Sequence, residues 1–404
     1  MSDNQLPQQL SAEDLKNRFI HACEMQEANA LQEAISIYRE LLQYIPNAPL
    51  IHFNLGLALF SYGNFEVAAE HYHAASRENP EDPDIWFNMG LNFRRLNKNK
   101  AAVASFAKAV ALGDSFIDTL YNMALCHQDM KAFERAAELY KKILADDANH
   151  QSSLNNYAYL CHKTEKLAMA EALYKRLLQL NPQHTAAKHM LNALCGITPD
   201  NAPLEYIESV FDGYAENFEE SLLSELKYQT PTALWQLFTE FCPNLLDCKC
   251  LDLGCGTGLA GESFKPACST LTGIDISDKI LAVARRKNLY QQLVKDDILS
   301  FLGKTEEQFD LLLAADVFTY MGDLQPLFTA CYQKSTTDAI FCFSVEKSES
   351  ASFKLKETGR FGHSCGYIEK TCKEIGWKLC ASRQSKLRQD KGQWIHGSLF
   401  IFQK

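Results

Sequence analysis

The chain has 404 residues, 47% apolar and 22% charged, which is the balance of a folded globular protein with room for two cores. Its net charge is −10 and the deficit is even: residues 1–200 carry 18 Lys+Arg against 23 Asp+Glu, and residues 201–404 carry 22 against 27. Neither half offers a basic surplus to a phosphate backbone, so nucleic acid is not expected as the main partner. The fourteen Cys include no C-x-x-C pair, which points to reduced thiols packed as small apolar side chains and to no metal centre. Residues 1–14 are polar and unlike a secretory signal, and no apolar run reaches the ~20 residues of a membrane span. A cytoplasmic protein without membrane contact is expected.

From Leu15 the sequence repeats every 34 residues, in frames 15–48, 49–82, 83–116, 117–150 and 151–184. One column reads Ala22, Gly56, Gly90, Ala124, Ala158, a second Ala34, Ala68, Ala102, Ala136, Ala170, and a third Tyr38, Tyr72, Phe106, Tyr140, Tyr174. Small residues let two helices of a unit approach closely. An aromatic four residues after the second small one shares its helix face and is expected to fill the groove to the next unit. No unit buries its apolar face alone, so stacking is required for stability. The pattern resembles the tetratricopeptide repeat, which implies an α-solenoid that binds proteins. Position six of frames two to five is Asn54, Asn88, Asn122 and Asn156, with Ile20 in frame one. That column is similar to the asparagine ladder in the repeats of the O-linked N-acetylglucosamine transferases. The resemblance implies an extended peptide on the concave face, held through its backbone; a plain solvated surface is the alternative. Residues 185–195 read as a helix capping the last unit, so the repeat domain is expected over 15–196. Residues 197–204, with Pro199 and Pro203 and no periodicity, read as a linker to a second domain over 205–404.

In that second domain short apolar runs alternate with helix-length stretches, the texture of an α/β fold. Strands are predicted at 250–253, 271–275, 293–297, 309–316 and 339–345, with an antiparallel hairpin from 377–387 and 397–402 at the sheet edge. The first strand runs into Gly254-Cys255-Gly256-Thr257-Gly258, where glycines allow a tight turn and a close backbone approach to a ligand. Asp275 closes the second strand, where a carboxylate can accept both hydroxyls of a ribose. Gly256, Gly258 and Gly261 also satisfy the dinucleotide pattern G-x-G-x-x-G. Against a dinucleotide stand Asp252 inside the first strand, whose charge suits an amino group rather than a pyrophosphate, and the count of seven strands.

LDLGCGTG followed by GIDIS resembles the first two motifs of the class I S-adenosylmethionine-dependent methyltransferases, with a Rossmann-like seven-stranded sheet. The resemblance implies S-adenosyl-L-methionine as cofactor. Its methionine end would lie against Asp252, Gly254, Cys255, Gly256 and Gly258, its ribose against Asp275 beside Ile276, and its adenine against Asp297 and Ile298, with Asp296 the alternative to Asp297. Residues 210–231 look like the opening segment of methyltransferases of quinone and biotin biosynthesis. Tyr214, Phe218 and Tyr228 are lid candidates there, or simply aromatics on an amphipathic helix. FDLLLAADVFTYMGDL and GRFGHSCGYI resemble a group of predicted bacterial methyltransferases that carry tetratricopeptide repeats. The class places its acceptor over the ends of strands four and five. This makes Asp316, Tyr320 and His363 the candidate catalytic residues and Glu346, Arg360 and Tyr367 the candidate substrate contacts. His363, read as lying in a glycine-flanked loop, has the side chain whose ordinary pKa suits a base; a structural His is the alternative. Residues 315–318 read ADVF where enzymes acting on amide or ring amino nitrogens carry N-P-P-Y, so such acceptors are not expected. The expected activity is methyl transfer to an unidentified acceptor, a small acidic or carrier-bound metabolite ahead of a protein side chain. The alternative is a repeat scaffold whose second domain binds or senses cofactor without turnover.

Overall fold

The computed structural model describes residues 10–113, 117–214, 219 and 221–404, and its contacts divide the chain into two units, residues 1–180 and 181–404.

In the first unit the 34-residue period becomes helix pairs, from Ala12–Glu27 and Leu31–Tyr44 to Gln151–Lys163 and Leu167–Leu180. The columns of small and aromatic residues meet. A Cβ on Gly56 would lie 2.8 Å from the Tyr72 ring, and one on Gly90 only 2.5 Å from Phe106. Tyr38, Tyr72, Phe106 and Tyr140 are fully buried. Each ring therefore rests on the first helix of its own unit, rather than only in the groove to the next; Tyr140 also approaches Tyr157 of the following unit, with centroids 6.2 Å apart. A further column supports these rings: Phe19, Phe53, Phe87 and Tyr121 tilt against them at 6.0–6.3 Å. The turn within each unit depends on one left-handed residue at a fixed place, Asn29, Gly63, Asn97, Lys131 and Glu165. Asn and Gly adopt that conformation readily, Lys and Glu only at a cost.

The second unit holds a seven-stranded sheet in the order β3-β2-β1-β4-β5-β9-β8. The strands are β1 (Cys248–Leu253), β2 (Cys268–Asp275), β3 (Gln292–Lys295), β4 (Phe309–Ala314), β5 (Ser335–Glu346), β8 (Lys378–Asp390) and β9 (Gln393–Gln403). The first five are parallel, while β9 runs antiparallel to β5 and to β8. This is the Rossmann-like sheet of class I methyltransferases. Both faces are buried, as crossover helices require. Leu251, Leu253, Leu312, Phe341, Phe343 and Phe400 enter one core. Their neighbours Cys250, Leu311, Leu313, Ile340, Cys342 and Leu399 enter the other. Lys391 and Gly392, both at positive φ, make the two-residue turn from β8 to β9. An unexpected small hairpin, β6 (Phe353–Leu355) with β7 (Phe361–His363), follows β5.

The boundary differs from the sequence reading. Helix Thr185–Leu194, expected to cap the repeats, falls in the second unit. The His189 ring bonds through Nε2 to the Gly359 carbonyl at 2.8 Å and lies 4.6 Å from the Tyr206 ring. Nor is 197–204 a free linker. The Gly322 and Asp323 amides donate to the Asp200 carbonyl at 2.8 and 2.9 Å, and the Ala202 amide donates to the Tyr320 carbonyl at 3.0 Å. The Leu355 amide donates to Thr198 Oγ1 at 3.2 Å. Prolines without periodicity signal irregular backbone, but not whether water or protein satisfies it. A fragment beginning at Asn181 should therefore be soluble and unfold cooperatively, whereas one beginning at Leu204 should aggregate or lose cooperativity. Thermal denaturation of the two fragments followed by circular dichroism checks this.

Candidate functional site

The parallel sheet brings the expected cofactor residues to its carboxyl edge, the end at which open α/β sheets bind ligands. Asp252, near the end of β1, is only 1% exposed. Gly254, Gly256 and Gly258 follow with φ of +62°, +55° and +92°, a left-handed run that suits glycine alone. A Cβ on Gly256 would meet nothing within 4 Å, so the loop backbone there borders open space; one on Gly254 would strike Val317 at 2.8 Å. The turns after β1 and β4 thus touch. Asp275 ties the loop down, accepting from the Gly256 amide on Oδ2 and from the Ser277 amide on Oδ1, each at 3.0 Å. Burial raises its pKa. Each carboxylate oxygen retains a lone pair suited to a ribose hydroxyl. Cys255 is buried and Ile276 half-buried beside this loop. Asp297 Oδ2 caps helix Ile298–Lys304 through the Ser300 amide at 2.9 Å, with Ile298 buried next to it, while Asp296 turns to Lys304 Nζ at 2.8 Å.

The sequence reading missed Tyr290. Its hydroxyl donates to Asp252 Oδ2 at 2.7 Å, and a Cβ on Gly258, Gly261 or Gly273 would come within 3.0, 2.3 and 2.8 Å of it. Gly261, which completes the dinucleotide-like pattern, is therefore needed to seat a tyrosine. Asp252 Oδ2 is committed, but Oδ1 is buried without a hydrogen-bonding partner. Burial, with the Asp275 charge adding to it, pushes the carboxyl up to about 7. A buried unpartnered oxygen beside an open glycine loop fits the ammonium end of an amino-acid cofactor.

Of the lid candidates, Phe218 and the Tyr214 side chain lie outside the described residues. Tyr228 donates to the Ala315 carbonyl at 3.3 Å, and burial, then the Asp316 charge, raises its phenol well above 10, with Asp252 contributing in the same direction. Helix Leu204–Tyr214 is tied to the cofactor half by Lys295–Glu208 at 3.0 Å, and Lys287–Glu219 adds a second tie just beyond it at 2.8 Å.

At the ends of β4 and β5 the structure joins Asp316, Glu346 and Arg360, and adds Arg388 and Lys356. Arg388, from β8, donates one Nη to Asp316 Oδ2 and the other to Glu346 Oε1. Both Arg388 and Glu346 are 2% exposed. Lys356 Nζ reaches Glu346 Oε2 at 2.9 Å, and Arg360 Nη1 stands 4.0 Å from Oε1, with the two cations 30% and 32% exposed. Burial alone would raise the Glu346 carboxyl, but Arg388, with Lys356 and Arg360, holds it down at about 2. Arg388 reaches the site because β8 bulges between Lys386 and Arg388. The bulged Leu387 carbonyl accepts from the Gln229 amide at 3.0 Å, at the start of helix Thr230–Phe241.

The remaining candidates form a separate group. His363 lies on β7, not in an exposed loop, and is 1% exposed. Its Nε2 bonds to the Gly322 carbonyl at 3.0 Å, and burial lowers its pKa to about 4. Such an imidazole is sequestered from an acceptor. Tyr367 stacks on it at 6.1 Å, donates to Asp323 Oδ1 at 2.9 Å and accepts from the Leu324 amide at 2.8 Å, a structural brace. Tyr320 is buried edge-on to Phe211, with centroids 5.5 Å apart.

In the repeats the four asparagines are half-buried. Asn54, Asn88 and Asn122 each donate one amide hydrogen to the carbonyl four residues back, at 2.8–2.9 Å, and Asn156 donates to the Tyr121 hydroxyl at 2.8 Å. Arg94 donates to Asn122 Oδ1 at 3.0 Å. Ile20 is exposed. Among the described residues no three His, Cys, Asp or Glu are grouped to hold a metal, and no helix is long and apolar enough to cross a membrane.

Residues 251–343 match a family described as a methyltransferase domain, and residues 53–115 and 121–185 match the tetratricopeptide repeat. The chain joins tetratricopeptide repeats to a class I methyltransferase-like domain. It is similar to the ubiquinone biosynthesis O-methyltransferase of Salmonella paratyphi A, 27% identical over 125 residues, which cover 30% of this chain and 52% of that enzyme. It is also similar to the enzyme of the same name from Pseudomonas syringae pv. tomato, 31% identical over 97 residues, which cover 22% and 40%. The chain thus spans about half the length, or less, of these curated relatives. Among solved structures, magnesium protoporphyrin IX methyltransferase from Synechocystis with bound S-adenosylhomocysteine is similar at 14% identity and a TM-score of 0.40, covering 50% of this chain and 99% of that one.

The methyltransferase-like domain makes a pH-dependent prediction. A cationic ligand group at Asp252 favours its ionised form, so binding should weaken as pH falls below about 7. Asp252→Asn keeps an acceptor for Tyr290 and removes the charge. Titration calorimetry with S-adenosylhomocysteine should show wild-type affinity dropping about fivefold between pH 7 and 6, and weaker, pH-independent binding in the variant over that range.

Proposed function

We propose that the chain transfers a methyl group from S-adenosyl-L-methionine to a small acidic or carrier-bound acceptor, with the repeats recruiting a protein partner. The observation that carries the cofactor reading is the orphaned, buried Asp252 Oδ1 beside the open Gly256 backbone, one strand from Asp275. In this reading Asp252 takes the ammonium, the Gly254–Gly258 backbone takes the methionine end, Asp275 holds the ribose, and Asp297 with Ile298 borders the adenine. The cofactor supplies an activated methyl on a sulfonium. The protein contributes alignment and exclusion of water, with Tyr228 walling the space between the turns after β1 and β4. Support for an acidic acceptor comes from Arg360 and Lys356, two partly exposed cations at the end of β5. Arg360 makes only a long contact to Glu346, which leaves its fork suited to a carboxylate. The buried thiols, among them Cys250, Cys331 and Cys342, suit a reducing cytoplasm.

Tritiated S-adenosylmethionine incubated with a cell extract, then separated into macromolecular and small-molecule pools, tests the reading; label is expected in the small-molecule pool, or in the macromolecular pool and released by mild base where the acceptor is bound to a carrier protein. Cofactor binding without transfer to either pool would favour the scaffold alternative. Asp275→Ala should weaken S-adenosylhomocysteine about tenfold or more by calorimetry, through loss of hydrogen bonds to a charged group worth ~1.5–3 kcal/mol each.

On the repeats, Asn54, Asn88, Asn122 and Asn156 are proposed to bind the backbone of an extended peptide. Asn54, Asn88 and Asn122 each spend one amide hydrogen within the domain and keep a second, whereas Asn156 faces both Tyr121 and Tyr140. At about 1 kcal/mol per bond, changing all four to Ala should weaken the partner by ~3–4 kcal/mol, while one change alone should barely register. Pull-downs with wild type and the fourfold variant, matched for helicity, compare the partners retained; identical sets would return these residues to a solvated surface.

A further inference from the structure

The buried charges at the ends of β4 and β5 do more than hold the domain together. We propose that Asp316 receives the proton of a hydroxyl or amine acceptor, and that Arg388 is the positioning residue that fixes it for this role. The proposal rests on the methyl-transfer reading above.

A buried carboxylate oxygen without a partner is costly, so one left open inside an ion cluster calls for an explanation. Here Glu346 is satisfied on both oxygens, by Arg388 and by Lys356. Asp316 is not: Oδ2 is held by Arg388, while Oδ1 is buried and accepts nothing. Its backbone is also unusual, with φ +63° just past β4 and its amide donating to Ser344 Oγ at 2.9 Å. A non-glycine residue held left-handed, with one carboxylate oxygen fixed and the other unused, is the expense expected of a working site.

Its position is right for the chemistry. Asp316 follows β4, the neighbour of β1, and the adjacent Val317 touches Gly254 of the cofactor loop. The Tyr228 phenol feels the charges of both Asp252 and Asp316. The titratable groups around the cluster are Arg388 from β8, Glu346 from β5 beyond it, Tyr228, Tyr320 and Asp252. His363, with its low pKa and sealed ring, and Tyr367, spent on Asp323 and Leu324, are excluded as proton acceptors. In the step, the acceptor's lone pair forms the new C–O or C–N bond as the S–CH3 bond breaks, and that bond's pair stays on sulfur. The O–H or N–H proton passes to Asp316 Oδ1 and from there to solvent. Arg388 holds the carboxylate in place through Oδ2 while making no contact with the acceptor.

Asp316→Asn is the informative variant, because Asn tolerates the left-handed backbone and still accepts from Arg388. Asp316→Gly, which suits that backbone better still, serves as the second. Full-length protein is assayed with tritiated S-adenosylmethionine and increasing amounts of fractionated extract as the acceptor source. Both variants should lose about 100-fold or more in the maximal rate of label transfer. Their S-adenosylhomocysteine dissociation constants by calorimetry should stay within about twofold of wild type, as binding set by Asp252 and Asp275 implies. Arg388→Lys, able to reach only one of the two carboxylates, should lower the maximal rate about tenfold with the same unchanged binding. Wild-type rates in both Asp316 variants, or loss of S-adenosylhomocysteine binding in them, would overturn the proposal; a wild-type rate in Arg388→Lys would overturn the part assigned to Arg388. No label transfer by the wild type, with S-adenosylhomocysteine still bound, would instead overturn the methyl-transfer reading on which it rests.

Discussion

Burying a carboxylate costs several kcal/mol unless partners compensate it, and four adjacent strands of this sheet carry one at the same edge, three of them buried and Asp316, just past β4, half-buried. In sheet order they are Asp275 on β2, Asp252 on β1, Asp316 after β4 and Glu346 on β5. The four are compensated differently, and the differences lay out the site. Asp275 is held by the amides of the turn it organises. Asp252 has one tyrosine and an unused oxygen, and its affinity for protons rises accordingly. Glu346 is saturated by cations. Asp316 is half-satisfied, by an arginine that a strand bulge delivers. Along the edge the compensation therefore passes from backbone amides, through two half-satisfied carboxylates, to a fixed ionic brace.

The solenoid shows the opposite economy: its interior uses shape in place of charge. A glycine under an aromatic ring recurs in two units because the ring leaves no room for a Cβ. The left-handed residue between the helices of each unit sets their antiparallel return, whatever its side chain. Charge is left to the outer faces, where polar side chains such as the asparagine column can bond to their own helices and still present a second donor.

Much of the glycine turn after β1 and the acid closing β2 was legible because the signals are local. A glycine run after an apolar strand needs only the backbone's own sterics to be read, and an acid at the next strand end follows from the βαβ period. The region beyond β4 and β5 was harder. His363 carries a residue type that suggests a base, yet a small hairpin buries its ring. Arg388 sits in KLCASRQSKLRQD, where nothing distinguishes it from Arg383, which pairs with Glu240 on the surface at 2.6 Å. Strand alternation would place Lys386 and Arg388 on one face, and only the bulge at Leu387 separates them. Tyr290 lies between a helix and β3 with no motif of its own, although the three glycines it displaces were visible.

The sequence alone determined what depends on neighbours in the chain: the 34-residue period, the five helix pairs, the alternation of strands and helices, and the glycine turn with its two acids. Those features rest on side-chain size, periodicity and allowed dihedrals, all short-range. Tertiary structure decided what depends on residues far apart in the chain. It assigned the segment 181–204 to the second unit, because its Ala202 amide, Asp200 carbonyl and Thr198 hydroxyl bond to backbone groups more than a hundred residues distant. It chose which carboxylates are neutralised and which are left open, because the partners Arg388, Lys356 and Tyr290 arrive from other strands and turns. Electrostatic compensation is set by distance in space, and a linear sequence does not record it.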